Sequence, residues 1–101
     1  MELQIEYKSK KLKKICTNFS YAEKYYSERM ATIIHQRVNE IQSADTIEMM
    51  VKNKIGRCHS LKGIRKDQYA MDLVQPYRLV FNVLHDKVQF VKVIEIVDYH
   101  S

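Results

Sequence analysis

A chain of 101 residues, 46% of them hydrophobic, is long enough for one core that removes roughly two-thirds of the unfolded surface from water. With only two glycines and one proline it has no material for a flexible linker, so a single domain over 1–101 is expected. Its 17 Lys and Arg against 12 Asp and Glu leave a formal charge of +5, which favours an anionic partner. No apolar run is long enough to cross a bilayer, and the opening "MELQIEYKSKK" lacks the layout of a secretory signal. A cytoplasmic protein with no membrane association is therefore expected. Cys16 and Cys58 stand far apart without metal-ligand spacing, which predicts reduced, partly buried thiols and no metal or cofactor.

In chain order, "LQIEY" alternates Leu3, Ile5 and Tyr7 with polar residues and predicts a half-buried strand. "KSKKLKKICTNF" follows as a short basic helix with Leu12, Ile15, Cys16 and Phe19 on one side. Ser20 and Glu23 have capping-box spacing, which predicts one long helix from there to about Gln42, with Tyr25, Ile33, Ile34, Val38 and Ile41 inward. "SADTIEMMVKNKIG" predicts a further short helix, started near Ser43 or Asp45 and ended before Gly56, with Ile47, Met50 and Val51 inward.

After Gly56 the composition turns to β-branched and aromatic residues in "RCHSL", "QYAMDLV", "YRLVFNVL" and "KVQFVKVIEIV". The links between them are too short for crossover helices, so an antiparallel meander is expected. The fold class is α+β: an N-terminal strand and two to three helices packed on one face of a mainly antiparallel twisted sheet. Within "YRLVFNVL", Tyr77, Leu79, Phe81 and Val83 are expected to face the core, and Arg78, Val80, Asn82 and Leu84 the other side.

The chemistry-bearing residues concentrate in two places. His59 stands in "RCHSLKG", and Asp98, Tyr99 and His100 close the chain in "EIVDYHS". Two histidines, an arginine and a cationic surface are the parts needed to cleave RNA by proton transfer: a base for the 2′-OH, a cation for the charge on phosphorus, and an acid for the departing 5′-oxygen. Histidine suits either proton-transfer role near neutral pH, and arginine matches phosphate with paired donors. An unbroken extended end would put Asp98 and His100 on one face and Tyr99 on the other, so an end to the strand or a bulge is needed to bring them together.

"RCHSLKGIRKDQYAMDLVQPYRLVFNV" and the terminal "VKVIEIVDYH" resemble the HigB-type host-killing toxins of bacterial toxin–antitoxin modules, within the RelE/ParE superfamily. The likeness is clear over 55–100, in the pieces "HSLKG", "PYRLVF" and "EIVDYH". Tyr69 stands where a tryptophan is common in the family, and Tyr77 fills the aromatic place before Arg78.

The resemblance implies a RelE-like ribonuclease that enters the ribosomal decoding site and cuts messenger RNA, with His59, Asp98, Tyr99, His100 and Arg78 as catalytic positions. Lys62 and Arg65 are the expected substrate-binding cations. It also implies neutralisation by a helix-turn-helix, HigA-like antitoxin, through which the pair would bind operator DNA. An acidic antitoxin surface would suit the basic "KSKKLKK" segment. Two other readings share the fold: a ParE-type toxin that inhibits DNA gyrase without catalysis, and a basic adaptor that binds structured RNA without cutting it.

Overall fold

A computed structural model of the chain describes residues 3–61, 63, 67–84 and 90–98. Strand β1 (Gln4–Tyr7) leads into helices α1 (Lys10–Thr17), α2 (Phe19–Tyr25), α3 (Glu28–Ser43) and α4 (Ile47–Lys52). A 3₁₀ turn (Ile55–Arg57) then opens a run of strands, β2 (His59–Ser60), β3 (Gln68–Asp72), β4 (Tyr77–Val83) and β5 (Phe90–Asp98). The strands form one sheet in the order β1-β5-β4-β3-β2. Strands β2 to β5 make the expected antiparallel meander, and β1 lies parallel to β5.

Each helix starts where a short polar side chain can accept a backbone N–H three residues on. Ser9 accepts from Leu12, Asn18 from Tyr21, Ser27 from Met30 and Thr46 from Met49, each cap being worth about 1 kcal/mol. These caps correct two expectations. The long helix from Ser20 is two helices, because Asn18 and Ser27 cap and Tyr26 leaves helical geometry at φ −117°, ψ −84°. Tyr26 packs edge-on against Tyr77 of the sheet at 5.5 Å, so the break seats an aromatic ring on β4. Helix α4 is capped by Thr46, and Ser43 instead closes α3.

The core lies between the helices and one face of the sheet. Leu12, Ile15 and Cys16 of α1, and Met30, Ala31, Ile34, Val38 and Ile41 of α3, meet Met71, Leu79, Phe81, Val91 and Val93 there. Removing a side chain of this size from water contributes about 1.5–3 kcal/mol. Two expected core residues point elsewhere. Phe19 begins α2 and turns its edge to His35, at 5.6 Å, and stays 39% exposed. Tyr25 is held outward by Lys11, whose Nζ donates to the Tyr25 hydroxyl at 2.6 Å.

Two local features decide which residues share a face. On β5, Glu95 pairs with Val80 while Val93 pairs with Phe81, so Ile94 is an extra residue. Such a bulge exchanges the two faces for everything after it. Before it Val91 and Val93 face the core; after it Ile96 does. The second feature is the turn after α4, where Lys54, Gly56 and Arg57 have φ of 54°, 57° and 55°. Only Gly56 occupies that region without steric cost. A Cβ on it would also lie 2.8 Å from Arg37 and 2.9 Å from Met71.

Burial also fixes the chemistry of four titratable groups. It pushes the thiols from 9.0 up to about 12 in Cys16 and about 11 in Cys58. The phenols of Tyr7 and Tyr26 rise from 10.0 to about 12, mainly through burial. Each group is neutral when protonated and has a folded pKa above its unfolded one. The stability that they contribute is therefore complete below pH 9.0, the ordinary thiol value, and is lost as pH rises toward 11 and 12. Thermal unfolding followed from pH 7 to 12 is expected to show Tm falling above pH 9. A flat Tm across that window would contradict it.

Candidate functional site

The turn that ends at Arg57 and the strand that begins at His59 form one wall of an open cleft of about 700 Å³, lined by Val51, Lys54, Arg57, Cys58, His59 and Arg78. His59 opens β2 opposite Ala70 of β3, which is itself opposite Val80 of β4. That row lies on the sheet face away from the helices, so the alternation expected for Arg78 and Val80 holds. Val80 is nonetheless fully buried, outside the cluster between helices and sheet.

Arg78 sits two rows along, on the same face, opposite Asp72 on β3 and Val97 on β5. Its Nε lies 3.5 Å from Asp72 Oδ1, and Arg57 Nε lies 3.3 Å from Asp72 Oδ2. Asp72 is 8% exposed, whereas the Arg57 side chain is 77% exposed. The aspartate is therefore buried behind the two guanidinium groups, which themselves line the cleft, with Arg57 at its rim. Its backbone is pinned from the helix side, where Arg37 Nε donates to the Asp72 carbonyl at 2.6 Å.

His59 Nδ1 lies 2.8 Å from the Arg57 carbonyl oxygen. A carbonyl only accepts, so Nδ1 carries a proton and donates it, which leaves the exchangeable proton to Nε2. The neighbouring Cys58 also lines the cleft, but burial holds its thiol protonated at neutral pH, so it is a wall rather than a nucleophile there.

His59 and Arg78, read from the sequence as site residues, thus share the cleft. Asp98 does not line it. It ends β5 opposite Tyr77, whose ring packs toward the core, because the extra residue at Ile94 shifts Asp98 to that face. Tyr99, His100, Lys62 and Arg65 lie outside the described residues. Arg57 and Asp72 were not among the residues singled out. A signal for Asp72 was present: in "MDLVQPYRL" a short hairpin joins it to Arg78, and a lone carboxylate interrupts an apolar strand.

Among the described residues no group of histidine, cysteine, aspartate and glutamate is arranged to hold a metal ion, and no helix is long and apolar enough to cross a membrane. The chain is thus an α+β protein with a five-stranded mixed sheet, and a cationic cleft lies at its β2 edge, between the end of α4, the 3₁₀ turn and Arg78 of β4. No protein-family model matches it, and comparison with curated proteins and with solved structures likewise found no match.

Proposed function

We propose that the protein is the toxin of a toxin–antitoxin pair, a HigB-type endoribonuclease that cuts messenger RNA in the decoding site of the ribosome. The observation that carries this reading is the meeting of His59 and Arg78 in one cationic cleft. They belong to "HSLKG" and "PYRLVF", two of the three pieces on which the resemblance rests.

In this reading the 2′-oxygen attacks the adjacent phosphorus and the bond to the 5′-oxygen breaks, leaving a 2′,3′-cyclic phosphate and a 5′-hydroxyl. One imidazole takes the 2′-OH proton and another group returns a proton to the departing oxygen, so the reaction is balanced without net proton uptake. His59 Nε2 fills one of these roles and His100 the other. Arg78 holds the phosphate through the transition state, Tyr99 stacks on or hydrogen-bonds the nucleotide, and Lys62 and Arg65 bind the RNA backbone. Asp98, turned toward the helix side of the sheet, has no part in this scheme. The work is done in the cytoplasm, and a helix-turn-helix antitoxin of the HigA kind holds the toxin silent and ties the pair to its operator.

Mapping new 5′ ends on a defined message, with the purified chain and with or without ribosomes, tests the proposal. Breaks bearing a 5′-hydroxyl that appear only on translated message are expected. Absence of new ends under both conditions would overturn it, and inhibition of gyrase supercoiling in the same preparation would then select the non-catalytic toxin.

A further inference from the structure

The Arg57–Asp72–Arg78 cluster is costly unless it has a use. A carboxylate side chain only 12% exposed loses most of its hydration, and it offsets one of the three positive charges, Lys54, Arg57 and Arg78, of a cleft that would otherwise attract anions more strongly. The pairing is poor as a stabilising device. Arg57 is too exposed for its ion pair to add much. Asp72 Oδ1 lies in charge contact with Arg78 Nε at 3.5 Å yet makes no hydrogen bond. Arg57 also reaches the carboxylate from a left-handed backbone conformation that a β-carbon disfavours.

What the arrangement does well is fix directions. Asp72 is immobilised twice, by strand pairing with Arg78 and by the Arg37 bond to its carbonyl. Each of its oxygens addresses a different arginine, and each does so at Nε, the guanidinium nitrogen nearest the side-chain stem. A carboxylate charge beside Nε biases the orientation of each guanidinium, and the outer pair of nitrogens is the edge that matches two oxygens of a phosphate.

We infer that Asp72 is the positioning residue of a two-arginine oxoanion site. Arg57 joins Arg78 as a phosphodiester-contacting cation, and the buried carboxylate holds both guanidinium groups at a fixed spacing. This deepens the ribonuclease reading and rests on it for the identity of the ligand, but the anion site is testable without any cleavage.

The experiment follows the ¹⁵N–¹H signals of the arginine Nε groups in the full chain during titration with inorganic phosphate, against chloride at equal ionic strength. In the wild type, Arg57 and Arg78 signals are expected to move together along one saturation curve. In Asp72→Asn, which keeps the shape and removes the charge, both signals should shift before phosphate is added, and phosphate affinity should stay the same or tighten. Ribosome-dependent cleavage by this variant should lose about tenfold to a hundredfold in kcat, because the cations are retained but misaligned, with KM unchanged or lower. A merely structural Asp72 would instead lower Tm and reduce activity only in step with the folded fraction.

Wild-type arginine signals that ignore phosphate, or an Asp72→Asn protein with unmoved signals and full kcat, would overturn the inference. Coupled signals that respond as described in a protein that cuts no message would keep the anion site and remove the nuclease reading. If Asp72→Asn does not fold, Arg57→Lys on the exposed rim serves: it keeps the charge and loses the fork, and wild-type phosphate affinity in it would equally overturn the site.

Discussion

Replacing His59 by alanine is expected to slow ribosome-dependent cleavage about 10²–10⁴-fold, the range for removing a positioned proton-transfer group. Among the described residues the half-buried ring makes one hydrogen bond, to the Arg57 carbonyl, so the same change should cost only about 1 kcal/mol of stability. Asparagine at this position separates the two contributions. Its side-chain amide can donate to the same carbonyl in place of Nδ1, but it has nothing to replace the proton exchange at Nε2. His59→Asn should therefore match alanine in activity and the wild type in Tm. If either variant cut message at the wild-type rate, His59 would be a structural histidine and the cleft would lose its proton-transfer group.

The largest stability effect is expected at Phe81. Its ring is fully buried in the middle of β4, stacked on Tyr69 at 5.8 Å and opposite Val93 at the step where β5 carries its extra residue. Phe81→Ala should cost about 3–5 kcal/mol, combining lost transfer energy with the cavity left behind. A small domain has only about 5–15 kcal/mol in total. Denaturant unfolding should show a much lower midpoint with an unchanged slope. A loss under about 1 kcal/mol would mean that the site collapses freely around the deletion, at odds with a rigid sheet between helices and cleft.

These expectations draw on features that differ in how far the sequence discloses them. The turn from helix-like to strand-like composition after Gly56, the short links of the meander, and the core side of β4 all follow from local periodicity, which the backbone imposes wherever one face is buried. The helix break at Tyr26 is harder. Ser20 and Glu23 offer a plausible cap, and so do Asn18 and Ser27; the choice goes to the pair that lets Tyr26 reach Tyr77 on a distant strand. Local hydrogen bonding alone does not separate caps of similar strength.

His59 and Arg78 stand out in the sequence as candidates because each lies in a short motif with its own chemistry. Their meeting, and the presence of Arg57 and Asp72 between them, depend on β2, β3 and β4 lying side by side and on an unusual backbone at Arg57. The placement of Asp98 depends on a single extra residue in β5, and alternation read along the chain does not reveal which strand residue will be skipped.

By itself, then, the sequence determined the α+β class, the order of its strands in the meander and the residue types from which a cleft could be built, because hydrophobic period and turn length act over a few residues. Tertiary structure alone decided that β1 pairs in parallel with β5, that one bulge turns Asp98 toward the helix side, and that a buried carboxylate stands between two arginines. Each of these depends on free-energy differences between residues far apart in the chain, and no local pattern carries that information.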